Sequence, residues 1–145
     1  MINNSIPNLS NYKKTCKRFS WKTAEKELDW FDNRKLNIAY NAVDRHAKTK
    51  RANKIALYWQ GANGEEKKYT FKELSILSNK FANVLKDLGI KKKDRVFIFL
   101  SRTPELYISL LGILKTGAIA GTLFASFGTQ GLLERLKNAC TKVRH

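Results

Sequence analysis

A capped amphipathic helix, followed by a strand, a second helix and another strand, constrains the fold of this chain more than any other feature. The first helix spans residues 70–89, where Thr70 and Glu73 have the spacing of a capping box, with each side chain accepting from a backbone amide of the other residue. Gly89 supplies the left-handed residue that ends such a helix. The predicted apolar face consists of Phe71, Leu74, Leu77 with Ser78, Phe81, Leu85 and Leu88.

A strand–helix–strand unit follows this helix. Residues 95–100 (RVFIFL) form a nearly continuous apolar run, which is typical of a strand covered on both faces. Thr103 and Pro104 suit the first positions of a helix that Gly117 ends, and residues 119–123 form the next strand. Because short connections join these elements, the two strands should be parallel, and we predict an α/β fold.

The end of the sequence predicts an unfinished sheet. A further helix over residues 132–139 would return the chain for another parallel strand. After Cys140 only Thr141, Lys142, Val143, Arg144 and His145 follow. A sheet that stops at Val143 leads us to expect a chain truncated at its C-terminus.

Simpler elements precede the capped helix. Residues 23–31 and 38–48 have helical spacing, and the second segment places Ile38, Ala42, Val43 and Ala47 on one face. Residues 55–59 and 67–69 predict a hairpin whose turn contains Gly61 and Gly64. We therefore divide the chain into an irregular basic segment, residues 1–22, and a partial domain, residues 23–145.

Charge and composition exclude several classes of protein. The 145 residues include 28 Lys and Arg against 12 Asp and Glu, for a net charge of +16. This excess is spread over both halves of the chain, as expected for solvated surface lysines, so nucleic acid is not the favoured partner.

Two cysteines, Cys16 and Cys140, support neither a disulfide scaffold nor a zinc site. His46 and the acid pairs Glu25–Glu27, Asp29–Asp32 and Glu65–Glu66 fit solvated surface positions rather than catalytic or metal sites.

A long apolar run needs separate treatment. Residues 106–127 contain a single charge, Lys115, and are long enough to cross a membrane. A lysine near the middle would cost about 2.5–3.5 kcal/mol on insertion, and glycines divide the run. We therefore predict a buried helix followed by a buried strand, with no membrane partner. The polar start of the sequence has no apolar signal core, so we expect a cytoplasmic protein.

Three stretches carry a resemblance to a known family. They read NIAYNAVDRHA at 37–47, YTFKELSILSNKFANVLKDLGIKKKDRVFIFL at 69–100, and PELYISLLGILKTGAIAGTLFASFG at 104–128. Together they resemble the start of the AMP-forming acetyl-CoA synthetases, which belong to the adenylate-forming, or AMP-binding, enzyme superfamily. The resemblance covers roughly residues 12–143 and implies the N-terminal portion of the large domain, since family members are several times longer.

The resemblance also implies a reaction. Such ligases use ATP and Mg²⁺ to convert acetate into acetyl-adenylate, release pyrophosphate, and transfer the acetyl group to CoA. The family's Ser/Thr/Gly-rich loop ending in Pro-Lys-Gly, its ribose-binding Asp and its C-terminal catalytic Lys are not found in this sequence. We therefore assign no catalytic, ATP-binding or metal residue, and expect no turnover and no tight cofactor binding from this fragment alone.

One local assignment follows from the resemblance. The Phe-x-x-Phe segment of the family lies near the CoA nucleotide, and here it reads Phe124-Ala125-Ser126-Phe127. We assign Phe124, Ala125 and Ser126 to the CoA side of the site. The competing interpretation, slightly favoured from sequence, is that Phe124 and Phe127 simply pack the core. This sequence departs from members that have Gly-Gly between the aromatic residues, and Thr122 replaces a common Pro.

Two further functions stay open. Beside a ligase fragment, one alternative is a small basic nucleic-acid-binding protein, which predicts steep salt dependence of binding, and the other is a non-catalytic piece that complements the rest of a ligase. The unfinished sheet edge favours the second of these.

Overall fold

The computed structural model describes residues 9–139 and 141. A π-helical turn, Tyr40–Asp44, leads directly into α3, and a short 3₁₀ turn covers Asp32–Arg34. The other elements, in chain order, are α1 (Tyr12–Arg18), α2 (Trp21–Lys26), α3 (Arg45–Ala47), β1 (Ile55–Gln60), β2 (Glu66–Thr70), α4 (Phe71–Asp87), β3 (Arg95–Phe99), α5 (Pro104–Thr116), β4 (Ile119–Leu123) and α6 (Thr129–Asn138).

The predicted hairpin and capped helix are confirmed. Strands β1 and β2 pair antiparallel, and Tyr58 lies opposite Lys68. The Thr70 hydroxyl accepts from the Glu73 amide at 3.1 Å, while a Glu73 carboxylate oxygen accepts from the Thr70 amide at 2.8 Å. This reciprocal pair satisfies amides that the first turn of α4 would otherwise leave without partners.

The predicted α/β unit is also confirmed. Strands β3 and β4 are parallel, with Phe99 opposite Leu123, and α5 connects them. Their inner face packs against α4 and α5 around a buried core of Leu85, Ile98, Ile113 and Ala118. The outer face differs from expectation, because Phe99 is 46% exposed and β3 is therefore not covered on both faces by the described residues.

The start of the chain is more regular than expected. Within residues 1–22, α1 forms a complete short helix whose N-terminal amide at Lys14 donates to the Asn11 side chain at 2.9 Å. The expectation of an irregular segment is therefore wrong for residues 12–18. The helix predicted over residues 23–31 is instead α2, which begins at Trp21 and ends at Lys26. The boundary between residues 22 and 23 stays a prediction.

The predicted buried face of residues 38–48 is wrong in part. Val43 is buried as predicted, but Ile38 is 64% exposed and Ala42 is exposed, while Ala39 and Asn41 are buried. The inward face therefore runs through Ala39 and Val43, one residue away from the predicted start at Ile38. Asn41 is accommodated there because its side chain accepts from the Asp29 amide at 2.9 Å and donates to the Asp29 carbonyl at 3.0 Å.

Lys115, the one charge in the long apolar run, lies inside the molecule. Its ammonium donates to the Asp44 carboxylate at 2.6 Å, to the Asn79 side chain at 2.8 Å and to the Ser75 carbonyl at 3.2 Å. Only 9% of the Lys115 side chain and 15% of the Asp44 side chain are exposed. This ion pair ties the π-helical turn to α4 and α5.

The apolar run divides as predicted, into α5 and then β4. Among the described residues, no helix is both long enough and apolar enough to span a bilayer. Helix α6 begins at Thr129, three residues before the predicted start, and ends at Asn138. The predictions that concern Cys140 and the possible strand at Val143 fall outside the described residues.

Candidate functional site

The segment assigned from sequence to the CoA side lies immediately after β4. Phe124 follows the last strand residue, Leu123, and the Phe127 amide donates to the Phe124 carbonyl at 3.0 Å, which closes a tight turn. Helix α6 then begins at Thr129. In open α/β sheets, ligands bind outside the carboxyl ends of the strands, so this turn has the expected position for a binding loop.

The two aromatic side chains of the turn form a pair. Their ring centroids are 5.9 Å apart and their planes meet at 67°, an edge-to-face arrangement. Phe124 is 60% exposed, so the interpretation that both rings pack the core is wrong for Phe124. Phe127 is partly buried. An exposed phenyl ring held by a second ring is a suitable surface for stacking a planar ligand.

An arginine that the sequence analysis did not select completes this cluster. The Arg135 guanidinium carbon lies 3.9 Å from the centroid of the Phe127 ring, within cation–π range. One of its nitrogens donates to the Gly131 carbonyl at 2.9 Å. The sequence pattern that could have identified Arg135 is the four-residue spacing of Phe127, Gly131 and Arg135. This spacing brings the three residues to one side of the helix that begins next to the turn.

The residues between the two rings leave the surface open. Ala125 and Ser126 are exposed, and Gly128 has no atom within 4 Å of the position where a Cβ would stand. A ligand can therefore approach the backbone of this turn. With aromatic rings and a guanidinium beside that opening, the cluster has the chemistry to stack a nucleobase and attract a phosphate.

A neighbouring loop at the same edge is held by the hairpin. Residues 100–103 follow β3, and the Arg102 carbonyl accepts from the Trp59 indole nitrogen at 2.6 Å. Thr103 precedes α5 and Glu105 lies in its first turn, where a hydrogen bond from the Thr103 hydroxyl lowers the pKa of the Glu105 carboxyl. Two loops, one after β3 and one after β4, thus form the carboxyl edge of the sheet. Side chains that lie outside the two strands hold these loops in position.

Outside these two loops, the structure shifts the pKa values of two further side chains. The pKa of Glu73 is lowered by its capping bonds from Thr70, and the pKa of His46 is lowered by burial, with Arg45 and Arg51 adding repulsion. Cys16 is a free, exposed thiol. The described residues contain no group of three or more His, Cys, Asp or Glu side chains that could hold a metal ion.

Comparison with known proteins gives a consistent result. The family model described as "AMP-binding enzyme" matches residues 43–144. The acetyl-coenzyme A synthetase of Bacillus subtilis (strain 168) is 50% identical over 137 residues, which cover 94% of this chain and 24% of that protein. The 3-hydroxypropionyl-coenzyme A synthetase of Sulfurisphaera tokodaii is 46% identical over 79% of this chain and 17% of its own length.

A solved structure agrees with the fold. The crystal structure of Brucella canis acyl-CoA synthetase superimposes with a TM-score of 0.80 at 29% sequence identity. The match covers 91% of this chain and 24% of that one. The chain therefore spans about a quarter or less of the length of these proteins.

Proposed function

The chain belongs to the AMP-binding enzyme family, and we propose that it is the N-terminal part of an acetate–CoA ligase that contributes the CoA side of the active site. The complete ligase would activate acetate with ATP and Mg²⁺ to acetyl-adenylate, then transfer the acetyl group to the CoA thiol. Acetate is proposed because relatives at 50% and 41% identity are named acetyl-coenzyme A synthetases. A cytoplasmic location, where ATP and CoA are available, belongs to the same proposal.

The observation that carries the proposal is the turn after β4. Phe124 presents an exposed ring, Ala125 and Ser126 leave the backbone accessible, and Arg135 lies beside the second ring. Adenine can stack on Phe124, and the guanidinium can attract a phosphate of CoA. These groups bind and orient the thiol substrate; they take no part in bond making or breaking.

The chemistry of adenylation would come from other sequence. Charge that develops on the phosphoryl oxygens needs preorganised donors and a metal ion. The described residues offer no metal-ligating cluster, and the printed sequence contains no Ser/Thr/Gly-rich loop ending in Pro-Lys-Gly. We therefore propose that this chain alone has no ligase activity.

A chimera tests the proposed function. The matching segment of the Bacillus subtilis acetyl-coenzyme A synthetase is replaced by this chain, and AMP formation is measured with acetate, ATP and CoA. We expect activity that depends on all three substrates, and none from the 145-residue chain by itself. A chimera that folds without activity, or clear turnover by the isolated chain, would overturn the proposal.

A substitution in the chimera then tests the CoA assignment. Phe124→Ala should raise the KM for CoA by at least about fivefold, because stacking of one base contributes about 1–3 kcal/mol. The KM values for ATP and acetate should not change. Tyr58→Ala is the matched control, since Tyr58 is another highly exposed aromatic residue, on the hairpin. Equal effects of the two substitutions on CoA would reject the assignment.

An apolar surface favours a second candidate function, a piece that docks onto the remainder of a ligase. Phe99, Leu100, Ile119 and Phe124, which lie on or next to the parallel strands, are each between 41% and 60% exposed. Covering these side chains would remove apolar surface from water. Co-expression of the chain with the Bacillus subtilis enzyme lacking its matching segment should give a complex that co-purifies. Failure of two soluble partners to associate would reject this candidate.

A further inference from the structure

A second concave site lies at the other end of the parallel strands. A cleft with a volume of about 880 Å³ opens where Lys92 precedes β3 and where Thr116 and Gly117 precede β4. Helix α4 and the segment around Leu36 form its sides. The volume falls within the range of small-molecule sites, and the cleft is separate from the turn proposed to contact CoA.

The cleft carries an unbalanced positive charge. Lys35, Lys86 and Lys92 line it and form no ion pair within the part of the chain that the structure describes. Its one lining carboxylate, Asp44, is held by Lys115 at 2.6 Å and so neutralises that lysine rather than the others. A concave surface lined by one sign of charge concentrates the potential and attracts anions.

Parts of this cationic surface are held in position by the backbone. The Lys92 side chain lies over Gly117, where an added Cβ would be 3.3 Å from the Lys92 Cγ. The next residue, Lys93, donates its amide to the Gly117 carbonyl at 3.1 Å. The turn that carries Lys92 is therefore fixed against the loop before β4, which restricts where its ammonium can reach.

The loop side of the cleft carries apolar side chains next to Lys35. The rings of Phe31 and Tyr40 meet edge to face with centroids 4.8 Å apart, and Leu36 beside them is 43% exposed. The Phe31 amide donates to the Lys35 carbonyl at 2.8 Å, which closes the loop on this side. Apolar side chains and Lys35 thus share the loop side of the cleft, whereas Lys86 comes from α4 and Lys92 from the loop that follows it.

We propose that this cleft binds a small organic phosphate. Its phosphoryl group would be held by Lys35, Lys86 and Lys92, because a lysine ammonium is a compact charge that suits phosphate oxygens. The apolar or aromatic part of the ligand would lie against Phe31, Leu36 and Tyr40. This assignment does not depend on the proposed ligase function.

Calorimetric titration of the 145-residue chain tests the proposal. Phenyl phosphate is the probe, because it combines a dianion with one aromatic ring, and titrations are run at about 0.15 M salt to screen dispersed charge. We expect saturable binding with one site per chain. The absence of saturable binding up to about 10 mM would overturn the proposal.

A matched pair of double variants locates the binding. Lys86→Gln with Lys92→Gln removes two cleft lysines, whereas Lys72→Gln with Lys80→Gln removes two exposed lysines of α4 that do not line the cleft. The first should weaken binding at least about tenfold and the second less than about twofold, since only the first loses charge-assisted bonds. Equal losses would show non-specific attraction to the +16 chain and overturn the site.

The apolar side chains of the cleft have their own test. Phenyl phosphate should bind several-fold more tightly than inorganic phosphate, and Leu36→Ser should reduce that difference while leaving inorganic phosphate unaffected. Equal affinities of the two probes for the unaltered chain would overturn the assignment to an organic phosphate. Thermal unfolding of each variant confirms that the fold is retained before the affinities are compared.

Discussion

The two ends of the β3–β4 pair are built in different ways. At the amino ends, hydrogen bonds join the loops that precede the two strands. The Ile119 amide donates to the Asp94 carbonyl at 2.7 Å, and the Lys91 amide donates to the Asp94 carboxylate at 2.7 Å. A buried ion pair between Lys115 and Asp44 lies beside these loops. At the carboxyl ends, the Trp59 indole donates to the Arg102 carbonyl at 2.6 Å and the Phe127 amide donates to the Phe124 carbonyl at 3.0 Å, but no buried ion pair lies beside the described loops, and Phe99 and Phe124 are 46% and 60% exposed.

Because of this contrast, we expect substitutions at the two ends of the strands to have different effects, on folding stability at one end and on ligand binding at the other. Loops that are closed by backbone bonds and a buried charge pair are fixed before any ligand arrives, and substitutions there should act on folding. Exposed rings and small residues at the opposite end contribute little to the core, so substitutions there should act on recognition. The organic-phosphate cleft combines the two properties, because its lysines are exposed while the loop that carries Lys92 is hydrogen-bonded to the loop before β4.

The largest effect is expected at the buried ion pair. Lys115→Met leaves Asp44 without its cation at a site where only 15% of that side chain is exposed. Removing one partner of a buried pair costs about 3–5 kcal/mol, because the remaining charge stays desolvated. Urea unfolding measures this loss of unfolding free energy.

A second variant controls for the loss of Lys115 packing. Asp44→Asn combined with Lys115→Met removes both charges and should recover a clear part of the stability lost in the single variant. A single variant that loses less than about 1 kcal/mol would show that the pair behaves as a surface ion pair. The amino ends would then owe their rigidity to backbone bonds alone.

An intermediate effect is expected from a matched pair of glycines, one at each end. Gly117 has φ of 77°, so Gly117→Ala should cost about 1–2 kcal/mol, and the new methyl group would also press on Lys92. Gly128 has φ of −71° and an open surrounding. Gly128→Ala should change stability by less than about 0.5 kcal/mol, since reduced unfolded-state freedom offsets a poorer N-cap.

The same unfolding measurement decides between these outcomes. If both glycine variants lose similar stability, the carboxyl-end loop is as constrained as the amino-end loop, and the separation of stability from binding fails. A stable Gly128→Ala variant would also show that side chains are tolerated beside the exposed turn.

Local spacing predicted much of this fold. The capping box of Thr70 and Glu73, the left-handed Gly89 and the parallel pair all depend on residues close in sequence, and the structure confirms each of them. Spacing failed in part at residues 38–48, because two faces one residue apart both carry apolar side chains, and the buried one runs through Ala39 and Val43 rather than Ile38 and Ala42. The burial of Asn41 follows from contacts with Asp29, which no periodicity reports.

The candidate sites depended more on contacts between distant residues. Lys115 and Asp44 are 71 positions apart, so the sequence showed a charge within an apolar run without its partner. Lys86 and Lys92 lie close together in sequence, at the end of α4 and in the loop after it, and only the folded chain brings Lys35 to the same cleft. The resemblance identified the aromatic turn. The contact of Arg135 with Phe127 depends on where α6 begins, and the structure places that start at Thr129.

The smallest expected effect concerns acid stability at the carboxyl end. The Thr103 hydroxyl lowers the pKa of Glu105 below its ordinary value of 4.5. A carboxyl with a lowered folded pKa contributes stability above about its unfolded value, and that contribution is lost as the pH falls through the folded pKa. Because Glu105 is largely exposed, the contribution is small and is reduced by solvent screening.

Glu105→Gln should therefore lower the melting temperature slightly at neutral pH and have no effect once the pH falls below the folded pKa. Melting curves from about pH 7 to about pH 3 provide the measurement, because carboxyl groups titrate in that range. Glu134→Gln, on the exposed surface of α6, serves as the control for loss of one negative charge. If the two variants show the same pH dependence, the Thr103 hydroxyl does not hold the start of α5, and the loop after β3 is fixed by the Trp59 bond and by the bond from the Thr103 amide to the Ser101 carbonyl.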